Sequence, residues 1–166
     1  MVIINFVRMS NVCSNIIFIA FAIGFVCVSC KKKSCEDPIP KIDFQSFVQK
    51  SNTEAQLTIG FIDCDGDIGL AQDERTAPYD YNLFLEYFEK REGLWTKITP
   101  LFPYYYRIPL LEGKTPYDLK EGDIIVDLTN YYDPSSKYDT IKYQIMLKDR
   151  ALNESNTIET NEIITN

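Results

Sequence analysis

Apolar and polar residues alternate along much of this chain, and a period of two is what a half-buried β-strand imposes. Leu57, Ile59 and Phe61 alternate with Gln56, Thr58 and Gly60, and Ile141, Tyr143, Ile145 and Leu147 alternate with Lys142, Gln144, Met146 and Lys148. Ile42, Phe44 and, after a break, Val48 follow the same rule, and Glu121-Gly122-Asp123 opens a short strand over 124–128. The stretch 81–91 is ambiguous, because its aromatics favour a strand while Glu86 and Lys90 stand at helical spacing; it is read as a strand. Gly93 turns the chain into a hairpin partner, Trp95-Thr96-Lys97-Ile98. The stretch 104–111 contains Pro109 and suits an edge strand only. Asp133-Pro134-Ser135-Ser136 is a turn, 151–156 a loop, and 157–165 the last strand. The spacing predicts an all-β, antiparallel sandwich of about seven strands over 41–166, with a barrel as the alternative.

The first thirty residues break this pattern. Residues 16–28 form an uncharged apolar run of about 13 residues that ends at Ser29-Cys30 and is followed by Lys31-Lys32-Lys33. Such a run suits the core of a helical signal peptide and is short of the ~20 residues a membrane-spanning helix needs. Arg8 supplies the positive start, and no acid occurs before Glu36. Val28-Ser29-Cys30 fits a lipoprotein cleavage site, although Cys27 stands where leucine is commonest. The expected organisation is a lipoprotein signal peptide over 1–29, a lipidated Cys30 with a flexible tether over 30–40, and the β-domain after it. An ordinary signal peptide is the plainer reading. A doubly acylated cysteine would hold the chain to a membrane, with the three lysines against anionic headgroups.

Charge narrows the partners. From Glu36 onward the chain carries 24 acids and 13 bases, a net charge of −11. Phosphate binding needs a basic face, so nucleic acid is not an expected partner. The 166 residues include no histidine, which excludes Ser-His-Asp and Cys-His catalysis and any histidine zinc site. Cys35 and Cys64 are the two cysteines after the lipidation site. In an oxidising compartment they form one disulfide or stand as two free thiols.

Asp63-Cys64-Asp65-Gly66-Asp67-Ile68-Gly69 sets three carboxylates at alternate positions directly after a strand. Charges so close repel, and a hard dication that takes six to eight oxygens relieves them. The stretch 63–74 copies much of an EF-hand loop, with Glu74 at its twelfth position. It departs at the sixth, where Ile68 replaces glycine, and Pro78 blocks a long following helix. The expectation is a calcium loop between strands; a solvated turn without metal is the rival. In a sandwich of immunoglobulin type the loop after the second strand and the final hairpin share a pole. That predicts Asp149 beside Asp63, Asp65 and Asp67, with Asn153 and Glu74 as further candidate ligands, unless Arg150 pairs with one of the acids instead.

Three phrases resemble a known group. The lipobox, the stretch Leu57-Thr58-Ile59-Gly60-Phe61-Ile62-Asp63-Cys64-Asp65-Gly66-Asp67-Ile68-Gly69-Leu70 and the closing Asp149-Arg150-Ala151-Leu152-Asn153-Glu154-Ser155-Asn156 are similar to small uncharacterised lipoproteins of Bacteroidota-type bacteria. The closing phrase also resembles the last hairpin of bacterial immunoglobulin-like repeats. The resemblance implies an outer-membrane lipoprotein of the cell envelope with an immunoglobulin-like sandwich.

Aromatic residues suggest a second chemistry. Trp95, the run Tyr104-Tyr105-Tyr106 and the pair Tyr131-Tyr132 could form a platform that stacks on sugar rings, with Trp95 and Tyr105 as the candidate pair, although aromatics more often fill a core. A glycan hydrolase would need two carboxylates flanking a cleft, and no acid stands in an evidently apolar stretch that would raise its pKa. The sequence therefore reads as a non-enzymatic, membrane-anchored binding or structural module with calcium. Its expected partner is an envelope protein or a glycan.

Overall fold

The computed structural model describes residues 2–5, 37–111 and 119–165, and it is all-β. In chain order the strands are β1 (Val2–Asn5), β2 (Lys41–Gln49), β3 (Glu54–Asp63), β4 (Leu83–Arg91) and β5 (Leu94–Ile98). There follow β6 (Tyr104–Tyr106), β7 (Lys120–Thr129), β8 (Thr140–Leu147), β9 (Ile158–Glu159) and β10 (Ile163–Ile164). They form two antiparallel sheets. One has the order β1-β7-β3-β2; the other runs β10-β8-β4-β5, with β6 also on β4 and β9 also on β8. The sandwich is the architecture the alternating pattern predicted.

The alternation explains why the sheets close face to face. In the first sheet Leu57 pairs with Val126 and Ile59 with Ile124, and all four side chains are fully buried. Opposite them, Leu83 pairs with Leu147, Leu85 with Ile145 and Tyr87 with Tyr143, and these belong to the same buried cluster. Burying each such aliphatic side chain is worth about 1.5–3 kcal/mol. Phe47 bridges the sheets at one end, stacking on Tyr143 at 6.1 Å between ring centres and meeting Tyr131 edge-on at 5.8 Å. The Tyr143 hydroxyl donates to the Tyr131 carbonyl.

Besides β7, which takes Glu121-Gly122-Asp123 into its ladder instead of opening after them, three elements depart from expectation. Pro109 confines β6 to three residues, and the following segment instead crosses to Leu70 through Leu70 N–H to Ile108 O (2.9 Å) and Leu110 N–H to Leu70 O (3.1 Å). The last strand is split into β9 and β10. Between them Thr160 N–H donates to Tyr143 O, while Thr160 Oγ1 accepts from Tyr143 N–H at 3.1 Å in place of a ladder carbonyl. β1 lies within the expected leader. The expectation of a helical signal peptide otherwise falls on residues outside those described, as do Cys30, Cys35 and most of the tether.

The two ends of the sandwich differ. Lys41 stands opposite Ile62 across β2 and β3, so the chain enters the domain at the end where Asp63 closes β3. Glu54 pairs with Thr129 at the other end. Among the described residues no helix is long and apolar enough to cross a membrane.

Candidate metal centre

β3 ends in Asp63, whose side chain is fully buried, and the chain then folds back on itself. Asp63 Oδ2 accepts a hydrogen bond from Ile68 N–H at 2.8 Å. Gly66 and Gly69 turn the backbone at φ of 73° and 103°, a region open to glycine at little cost. Ile68, at the position an EF-hand gives to glycine, points into the core with 1% of its surface exposed. It anchors the loop by packing, and the turning is done by its glycine neighbours.

The loop thereby gathers carboxylates. Oxygens from Asp63, Asp65 and Asp67 all lie within 4.8 Å of one another. The Oδ1 atom of each is buried and has no hydrogen-bond partner. An unmatched buried acceptor costs about 1–3 kcal/mol, more when it is charged. Burial, contact with Asp65 and repulsion from Asp65 and Asp67 push the Asp63 carboxyl up to about 7. Burial, then repulsion from Asp149 and Asp65, push Asp67 up to about 6. Asp63 is thus an acid in a buried setting that the sequence did not disclose. Lys120 stands opposite Asp63 in the β3–β7 ladder and is itself buried, but burial and the neighbouring acids govern Asp63, and its own loop supplies the opposing hydrogen bond.

The final hairpin meets this loop. Ala151 N–H donates to Asp67 Oδ2 at 3.0 Å. Asp149 is 1% exposed, and its carboxylate is oriented by Asn153, whose backbone and side-chain N–H groups donate to Oδ1 and Oδ2, both at 2.8 Å. Asn153 therefore positions Asp149. Glu74 is engaged elsewhere, accepting from Ala71 N–H at 2.7 Å and pairing with Arg150 at 2.8 Å. These two contacts occupy both of its carboxylate oxygens. Arg150 gives its guanidinium to Glu74, and its charge also offsets part of the repulsion on Asp67. Arg107 rivets the stretch beyond the loop by donating to the carbonyls of Ala71, Tyr79 and Asp80.

Cys64, between two of the acids, is disulfide-bonded. Every other cysteine of the chain, Cys35 included, lies outside the described residues.

The aromatic candidates lie on the outer face of the second sheet. Lys142 Nζ is 4.9 Å and Lys90 Nζ 5.6 Å from the Trp95 ring centre, and Tyr105 meets Phe84 edge-on at 5.0 Å and Tyr81 at 5.9 Å. Both rings are already engaged, Trp95 by ammonium groups that supply a cation–π contact. The concave aromatic surface is elsewhere. At the end opposite the acidic loop, a groove of about 560 Å³ runs between Tyr104, Tyr106, Tyr132 and Asp133, with Leu101 and Phe102 on its lip. Of the tyrosines at 104–106 and 131–132 expected to form a stacking platform with Trp95, the groove brings together Tyr104, Tyr106 and Tyr132, and Trp95 is not among its lining.

The chain matches no protein-family model, no curated protein and no solved structure.

Proposed function

We propose that this protein is a lipid-anchored, non-enzymatic module of the cell envelope, held at the outer membrane through an acylated Cys30. Its immunoglobulin-like sandwich is stiffened by calcium and offers loops or an edge to another envelope component. The observation that carries the calcium reading is the buried, unpartnered Oδ1 of Asp63, facing two further unpartnered oxygens of Asp65 and Asp67. Oxygen-only donors at a buried, repulsive cluster suit a hard dication. Asp63, Asp65, Asp67 and Asp149 would hold the ion, with Asn153 keeping Asp149 in place. Calorimetric titration of the purified protein with calcium tests this: heat together with a higher melting temperature, both reversed by chelation, is expected. No heat and no change on chelation would leave a metal-free turn.

The anchor rests on the run before Cys30 and on the chain entering at one end of the sandwich. Intact-mass analysis of the membrane fraction is expected to give an N-terminus at an acylated Cys30. An unmodified, soluble full-length chain would refute the anchor.

A second reading, a carbohydrate-binding accessory protein, is favoured by the groove near Tyr104 and Tyr132, which pairs aromatic walls with hydroxyl and carboxylate groups. Glycan-array binding lost on Tyr132→Ala but kept on Trp95→Ala would support it.

A further inference from the structure

The two edges of the first sheet are treated differently. An exposed strand edge offers unpaired N–H and C=O groups to any extended chain, and folded proteins blunt such edges with bulges or covers. β2, at one edge, is blunted twice. Its pairing with β3 shifts between Phe44 and Ser46, a bulge. The Asn156 side chain then clamps its outer backbone, accepting from Ile42 N–H at 2.9 Å and donating to Ile42 O at 2.8 Å. Gln49 Nε2 donates to Ile164 O at 2.8 Å farther along.

Among the described residues β7, at the other edge, has neither device. It runs ten residues from Lys120 to Thr129 and pairs without a register shift along the whole of β3. Its other side is taken by β1, which pairs antiparallel with Val2 opposite Val126, Ile3 opposite Ile125, Ile4 opposite Ile124 and Asn5 opposite Asp123. Among the described residues, β1 is the strand on that edge. Yet β1 belongs to the segment that the proposed processing at Cys30 would remove.

We infer that the β7 edge is an acceptor site for an extended segment of another protein, vacated by β1 when the leader is cleaved and refilled by an antiparallel strand of consecutive β-branched apolar residues. The inference rests on the lipoprotein reading above. The chemistry of the occupant follows from the one the chain itself supplies, Val2-Ile3-Ile4-Asn5. Main-chain hydrogen bonds would give the affinity, and alternate side chains the selectivity. The Asp123 carboxylate, opposite Asn5 at one end of the paired stretch, would disfavour an acid at that position of the incoming segment.

The test begins with full-length chain expressed with its leader and purified from membranes, its N-terminus read by mass. A synthetic peptide covering residues 1–6 is added in excess while amide hydrogen exchange is followed. Slowed exchange at alternate amides within 123–126, lost when the peptide carries Ile3→Pro and Ile4→Pro, is the expected result. Processed protein whose β7 amides exchange alike with either peptide would overturn the inference and leave the anchor standing. Processed protein whose β7 amides are protected without peptide, in a dimer, would overturn it in favour of a second copy. Material that retains residues 2–5 would overturn it together with the anchor, and the mass tells these cases apart.

Discussion

Asp67 is where the ion reading meets its most direct test at the scale of a residue, because its carboxylate accepts from Ala151 N–H of the final hairpin and faces Asp149 and Asp65, whose repulsion the Arg150 charge offsets only in part. Asp67→Asn removes a charge and keeps an acceptor for Ala151. A ligand present at a hundredfold over its Kd stabilises by about 2.7 kcal/mol, which in a domain of this size is about 10 °C in melting temperature. Thermal melts in calcium are expected to show that gain in the parent and to lose most of it in Asp67→Asn; in chelator the variant should melt no lower than the parent. Protons give an independent check. Asp63 at about 7 and Asp67 at about 6 hold protons in the fold at pH values where the unfolded carboxyls, near 3.9, have released them. Stability without calcium is therefore greatest near pH 4 and falls as pH rises toward 7. Asp127 and Asp133 shift the other way, the first through Gln56 and Lys50, the second through Ser135. Their contribution fades only as pH falls below about 4, outside that window. With calcium bound, the ionised carboxylates are the favoured form, so the slope between pH 4 and 7 should reverse; melts across this range in chelator and in calcium measure both.

Between elements, the decisive contact joins the acidic loop to the chain after β6. Gly69 sits at φ +103°, and a Cβ there would lie 2.5 Å from Pro109 O and 2.9 Å from Leu110 Cα. Gly69→Ala therefore strains its own backbone and pushes the Leu70–Pro109 crossing apart, an expected loss of about 3 kcal/mol. Gly93→Ala, at φ +83° with open space around it, should cost only about 1 kcal/mol; denaturant melts of the two variants separate strain from collision. The elements themselves were largely written in the side-chain alternation. β3 and β8 could be read because one of their faces is wholly buried, and a period of two then has no competitor. The stretch around β4 was ambiguous because Glu86 and Lys90, whose spacing hinted at a helix, instead pair across the sheet and surface with Lys97 and Glu162. The split of the last strand depended on a single threonine hydroxyl replacing a carbonyl, which no pattern of apolar residues encodes. The carboxylate cluster was legible from its spacing alone. The Arg150–Glu74 pair was not, because the two residues come together only through the fold.

At the scale of the whole molecule, the sandwich carries its chemistry at two opposite ends: acids where the chain enters, aromatic and aliphatic groups at the other. Leu101 and Phe102, 88% and 80% exposed between Pro100 and Pro103, contribute little to the core. Leu101→Ser with Phe102→Ser is expected to leave stability within about 0.5 kcal/mol, measured by thermal melts. The groove's tyrosines were legible as a group, but that Tyr104, Tyr106 and Tyr132 wall it while Tyr105 and Tyr131 turn elsewhere is a choice of face that only the sandwich makes. Strand length has a mechanical corollary. Ten residues of β3 at about 3.3 Å each make a rigid spacer of about 33 Å, and adding two paired residues to β3 and β7 would lengthen it by about 7 Å. The distance between the acidic loop at one pole and the aromatic groove at the other is thus set by ladder length.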